Sequence, residues 1–243
     1  MTSRRTVAWF SCGAASAVAA KFAGDDAVPV YCDTSASEHP DNVRFLRDVS
    51  AWLGKPVQII HSKTYLNIDD VFERTKYMTG IKGARCTTEM KKIPRYNFQH
   101  IDDTHVFGFT AEETNRVAAF RTNNPELNLF FPLVFLGITR AECYTILTEA
   151  GIALPTMYSL GYKNNNCIGC VKATSARYWN MIRRDFPDVF AKRADQSRRL
   201  GVRLTRREGE RIFLDELPMD YLGAEELENI SCGPDCGPQQ GKA

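Results

Sequence analysis

Apolar residues along this chain fall into short continuous runs separated by longer stretches of helical period, an order that predicts alternating strands and helices. Thr6–Phe10 is an apolar run that stops at Ser11-Cys12-Gly13, and residues 14–22 are Ala-rich and helical. Val28–Cys32 is a second strand, residues 40–53 form an amphipathic helix closed by Gly54, and residues 57–60 make a third strand. A fourth strand is expected over 106–109 and a further helix over 139–150, ended by Gly151. Strands alternating with helices pack as a parallel sheet covered on both faces, with ligands beyond the carboxyl ends of the strands. The expected fold is therefore α/β, a Rossmann-like doubly wound parallel sheet over residues 1–155. After Pro155 the chain changes character, and residues 156–243 read as a helical, cysteine-containing extension packed on the same domain.

Composition sharpens this picture at two points. The 243 residues are 44% hydrophobic and 25% charged, which is ordinary for a globular chain, and no apolar run approaches the ~20 residues of a membrane span. Arg4 and Arg5 followed by an apolar run resemble a signal peptide in outline. The Ser-Cys-Gly break and the following Lys21, Asp25 and Asp26 favour strand, turn and helix instead, and a cytoplasmic protein. The net charge of +2 is too small to mark a nucleic-acid binder, but it is unevenly spread. Residues 177–211 carry eleven Lys/Arg against five Asp/Glu, whereas 215–228 carry six acids and no base. Such a basic stretch is either a solvated helix face or a surface for the phosphates of a nucleotide or RNA.

Eight cysteines, at 12, 32, 86, 143, 167, 170, 232 and 236, are not expected to form disulfides in a reducing compartment. Cys32 and Cys143 fall inside a strand and a helix and read as small core residues. The other six fall in loops or at element ends. Cys167-Ile-Gly-Cys170 is a CxxC pair with 80 residues between Cys86 and Cys167. Thiols so spaced suit an iron–sulfur cluster, a zinc site or a redox pair.

The turn Ser11-Cys12-Gly13-Ala14-Ala15-Ser16 joins the first strand to the first helix, where small residues and backbone N–H groups can cradle a phosphate. Asp33-Thr34 closes the second strand, ahead of Glu38 and Pro40, and Glu112-Glu113-Thr-Asn-Arg116 follows the fourth. Together these segments resemble the PP-loop superfamily, and within it the sulfonucleotide (PAPS/APS) reductases. The turn keeps the outer serines and one glycine of a Ser-Gly-Gly-x-x-Ser loop. Ala14 and Ala15 stand where the pyrophosphatase branch has Lys-Asp, a loss shared with the reductases. Cys86-Thr-Thr-Glu-Met-Lys91-Lys92-Ile-Pro94 resembles the reductases' Cys-Cys-x-x-Arg-Lys-x-x-Pro, with Thr87 in place of the second cysteine. The tail Ser231-Cys232-Gly233 is similar to their Glu-Cys-Gly end, with a further Cys236.

The resemblance implies an adenine nucleotide (PAPS, APS or ATP) on Ser11–Ser16, with Asp33, Thr34 and Glu38 towards the nucleoside. Lys91, Lys92, Glu113 and Arg116 would then lie about its phosphate or sulfate. It also implies a 4Fe–4S cluster on Cys86, Cys167 and Cys170, with zinc as the alternative metal. Cys232 or Cys236 would be the nucleophile or the missing ligand, and a thioredoxin- or glutaredoxin-like dithiol the reductant. Two other outcomes are open from the residues. One is an ATP-dependent sulfurtransferase acting on tRNA or another nucleic acid; the other is a nucleotide sensor without turnover. A homodimer is compatible with all three.

Overall fold

The computed structural model describes residues 4–223 and 230. At its centre is a five-stranded sheet in the order β3-β2-β1-β4-β5, parallel throughout: β1 Thr6–Phe10, β2 Val28–Cys32, β3 Gln58–Ile60, β4 Thr104–Phe107 and β5 Asn128–Phe130. The chain winds from β1 to β3 on one side, then crosses back to place β4 against the other edge of β1. The order thus reverses between β1 and β4, and the carboxyl ends there open the crevice in which such sheets bind ligands.

Side chains alternating along each strand feed two different cores. Ala8, Phe10, Tyr31 and Val106 face one cluster with α1 (Ala14–Lys21), α2 (Asn42–Leu53) and the helix Arg140–Glu149. Val7, Trp9, Val30, Cys32 and Phe107 face the other. Burial on both faces explains why these strands read as unbroken apolar runs rather than alternating ones. The helix boundaries follow local chemistry. Gly54 ends α2 at φ 70°, a conformation open to glycine at little cost, and Thr139 with Glu142 closes a capping box ahead of Arg140.

A third core draws Ile68, Phe72, Cys86 and Met90 together with Met157, Cys167, Cys170, Trp179, Leu204, Leu214 and Ile230. The segment beyond 155 therefore shares its interior with residues 68–90. The basic stretch is two helices, Ala176–Asp185 and Pro187–Arg199, parted at Phe186-Pro187, and then a β6–β7 hairpin (Thr205–Arg207, Glu210–Ile212). Residues 85–98 run as one helix with a π segment, Thr88–Lys92, between Arg85–Thr87 and Ile93–Phe98. Among the described residues no helix is long and apolar enough to cross a membrane.

Candidate functional site

The turn between β1 and α1 is held in shape by its two outer serines. Ser16 Oγ accepts from Ser11 N–H at 3.0 Å and from Ser11 Oγ at 3.2 Å, and donates to Gly13 O at 2.9 Å. Cys12 stands at φ 55° with its thiol buried, a conformation that L-residues rarely adopt and that turns the backbone sharply. Gly13 has φ −98°, so its conformation does not demand glycine; what it supplies is space. Gly108, just past β4, is a different case: a Cβ there would lie 2.7 Å from the Ser16 backbone. Its absence lets the end of β4 press against the start of α1 and close the floor of the crevice.

A cavity of about 120 Å³ lies over this turn, lined by Ser11, Gly13, Ala14, Ala15 and Ser16 and by Lys91, Glu113 and Arg116. Cys12 faces the core instead, and Lys92 is not part of the lining. Glu113 accepts from Thr110 N–H at 3.1 Å and pairs with Arg116, whose guanidinium lies 4.5 Å from the Phe109 ring centre. Arg116 is thereby fixed in orientation beside the Ser11–Ser16 turn. Arg140 and Lys163 complete the cationic wall, and Tyr144, Tyr158 and Asn166 stand beside them. Tyr158 receives the Ala14 N–H at 3.3 Å, and burial pushes its hydroxyl up to about 12, so it remains protonated at neutral pH. The sequence offered no signal for Arg140, Lys163 or Tyr158, because only the crossing of the chain brings them to the turn.

Asp33, Thr34 and Glu38 were expected at the nucleotide, and the structure places them outside the cavity lining. Asp33 Oδ1 accepts from Ser35 N–H at 2.9 Å while Oδ2 meets His61 Nδ1 at 3.0 Å. Glu38 is buried and takes hydrogen bonds from Tyr31 OH at 2.9 Å, from Asn42 Nδ2 at 2.7 Å and from Thr34 Oγ1. Its influence on the turn is indirect. Asn165 Nδ2 donates both to Asn42 Oδ1 at 2.7 Å and to Cys12 O at 2.6 Å, so Glu38, Asn42 and Asn165 brace the strained residue.

Cys86, Cys167 and Cys170 all lie in the third core. The CxxC loop is fixed from several sides. Ile168 N–H donates to Ser37 O at 2.8 Å, Cys170 N–H to Tyr178 OH at 2.8 Å, and Arg193 Nε to Gly169 O at 3.3 Å, with Gly169 at φ 66°. Among the described residues no three His, Cys, Asp or Glu are arranged around a single metal ion. A cubane cluster takes each thiolate to a different iron, so its ligands stand farther apart than those of one ion. Two buried thiols on the Gly169 loop, with Cys86 buried in the same core, are donors of that kind. Cys167 also borders a cavity of about 10 Å³, four of whose other lining residues, Lys163, Asn164, Asn166 and Ile230, also line the cavity over the turn. Burial raises the remaining described thiols, Cys12 well above its ordinary range and Cys32 and Cys143 to about 12, so none is a ready thiolate. Cys232 and Cys236 lie outside the described residues.

About half of the basic stretch is paired with acids within the fold. Lys192 and Arg193 pair with Asp69, Arg198 with Asp215 and Glu216, Arg199 with Glu73 and Asp195, and Arg184 with Asp185. The chain matches no protein-family profile and no curated protein sequence.

Proposed function

We propose that this protein is a sulfonucleotide reductase of PP-loop type, which binds PAPS or APS and releases its sulfate group as sulfite. The observation that carries the reading is the return of the chain to the nucleotide cavity at Ile230. This residue lines the cavity, and its carbonyl accepts from Asn166 Nδ2 at 2.7 Å. Cys232 follows two residues later in the sequence. The reading takes its thiol as the nucleophile towards a group held over the Ser11–Ser16 turn.

The roles follow from charge and position. Backbone N–H groups of the turn and the α1 N-terminus hold a phosphate, while Lys91, Arg116, Arg140 and Lys163 offset the remaining negative charge. The Cys232 thiolate attacks the sulfate sulfur. An S–S bond forms, the S–O bond to the adenylate phosphate breaks, and the nucleotide departs with that electron pair. An external dithiol of thioredoxin or glutaredoxin class then attacks the cysteine sulfur. Sulfite leaves, and the second thiol of the donor resolves the mixed disulfide, so the donor supplies both electrons. Cys86, Cys167 and Cys170 would hold a 4Fe–4S cluster, which when bound supplies positive potential beside the sulfate and need not pass electrons.

One observation favours a second reading, ATP-dependent sulfur transfer to a nucleic acid: the small cavity between Cys167 and the nucleotide cavity is the route sulfur would take from a cluster. The paired basic helices add little to it. Anaerobically purified protein given PAPS and a dithiol should release sulfite; given ATP, it should release no pyrophosphate.

A further inference from the structure

Three hydroxyl oxygens meet over Gly13. A Cβ at that glycine would stand 3.6 Å from Tyr158 OH, 3.7 Å from Ser11 Oγ and 3.9 Å from Ser16 Oγ. These are ordinary contact distances, so the absent side chain leaves a position that one heavy atom can fill without moving its neighbours. Ser11, Gly13, Ser16 and Tyr158 all line the cavity of about 120 Å³, and the position opens into it.

The three hydroxyls are not equivalent. Ser11 Oγ donates to Ser16 Oγ at 3.2 Å, and Ser16 Oγ donates to Gly13 O at 2.9 Å, so both serine protons are used inside the turn. Tyr158 is engaged the other way round. Its oxygen accepts the Ala14 N–H, one of the donors that the head of a helix leaves without an intrahelical partner, at 3.3 Å. Among the described residues its own proton has no acceptor, and burial keeps that proton on the oxygen at neutral pH. A protonated phenol that already accepts an N–H has its donor left to give, and the accepted bond polarises the O–H further.

This donor is also held in place. Tyr158 lies on the short helix Thr156–Ser159, whose Thr156 N–H donates to Asp41 Oδ2 at 3.0 Å, and its ring packs 5.2 Å from that of Tyr144. Further along the same segment, Asn165 Nδ2 reaches back to Cys12 O at 2.6 Å. The segment is thus tied to the turn at two points. Ala14 and Ala15 offer only methyl groups at the head of α1, which leaves room for the phenol to come in over them.

We propose that Tyr158 is a substrate-binding residue whose O–H donates to an oxygen of the nucleotide's 5′-phosphate, held over Gly13 with the two serines on its other sides. The serines shape the cup, and the tyrosine supplies its side-chain donor. The group recognised is a tetrahedral anion on a nucleoside; a neutral nucleoside gives the hydroxyl nothing to bind. The proposal rests on the nucleotide site of the reading above and not on its redox step. Nucleotide binding without sulfite release would end the reductase reading and leave this one standing.

The test is isothermal titration of the full chain with adenosine 5′-phosphate and with adenosine, in wild type and in Tyr158→Phe. The Phe variant keeps the ring beside Tyr144 and removes only the hydroxyl. Wild type should bind adenosine 5′-phosphate more tightly than adenosine. Tyr158→Phe should lose about tenfold or more in affinity for the phosphate and nothing for the nucleoside, as expected for one hydrogen bond to a charged group. Equal loss for both ligands would mark Tyr158 as packing alone and overturn the proposal. So would an unchanged affinity for the phosphate, or a wild type that does not distinguish the two ligands. A crystal of the wild type with adenosine 5′-phosphate decides the matter even where the variant does not fold. A phosphate oxygen should lie within about 3 Å of Tyr158 OH, and a phosphate bound away from that hydroxyl overturns the proposal.

Discussion

At the residue scale, two glycines near the Ser11–Ser16 turn separate binding from folding. A Cβ on Gly13 would have 3.6 Å to its nearest neighbour, Tyr158 OH, followed by Ser11 and Ser16 Oγ. Gly13→Val should therefore fold, while its branches obstruct the turn and remove nucleotide binding. Isothermal titration beside a melting curve checks this, and unchanged affinity would place the phosphate elsewhere. Gly108→Ala meets Ser16 backbone at 2.7 Å and should cost about 1–3 kcal/mol in denaturant unfolding. The sequence singled out Gly13 because it sits in a loop of small residues. Gly108 carries no such mark, since its need arises from a helix 92 positions earlier in the chain. His105 gives a pH signature. Burial pushes it from 6.5 down to about 4, so between those values the unfolded chain binds a proton that the folded one refuses. Stability should be full above pH 6.5 and fall on acidification towards pH 4, at up to about 1.4 kcal/mol per unit. His105→Gln should flatten the segment from pH 6.5 to 5; an identical slope would remove His105 from the account.

At the element scale, the first four strands and the two helices among the first three of them were legible, β1, β2 and β4 because strands buried on both faces announce themselves as apolar runs; the helical segments Ile68–Thr75 and 85–98, between β3 and β4, were not. β5 was not. It is a three-residue edge strand, Asn128–Phe130, with Phe130 partly exposed, and so short a run has no period. The β6–β7 hairpin was missed for the opposite reason: Thr-Arg-Arg and Glu-Arg-Ile are strands of charged residues packed through their ends. The CxxC spacing was visible, but not what fixes the loop. Gly169 is at φ 66°, and a Cβ there would lie 3.0 Å from Val189 Cγ1. Gly169→Ala should shift the loop and lower the iron and sulfide bound after anaerobic reconstitution. Cys86→Ala, Cys167→Ala and Cys170→Ala should each do the same and also lower stability. Zinc bound without sulfide in the wild type would exclude the cluster.

At the scale of the whole molecule, the cavity over the Ser11–Ser16 turn is assembled from both halves of the chain, and that assembly was least legible. Asp33, Thr34 and Glu38 looked like nucleotide ligands from their place after β2 and lie outside the cavity lining, Glu38 bracing the turn through Asn42 and Asn165, while Arg140, Lys163 and Tyr158 arrive from the far half. The tail enters the same account through Ile230. Truncation after Ile230, which keeps that residue in the cavity lining and the core, should leave nucleotide binding intact and abolish sulfite release; if the truncated protein instead loses its iron, a tail cysteine is a cluster ligand. The most direct test of the central claim is product analysis with anaerobically prepared full-length protein, PAPS and a thioredoxin-class dithiol. The account predicts sulfite and adenosine 3′,5′-bisphosphate in equal amounts, dependent on Cys232 or Cys236, and no pyrophosphate from ATP. Pyrophosphate from ATP with no sulfite from either PAPS or APS would contradict it.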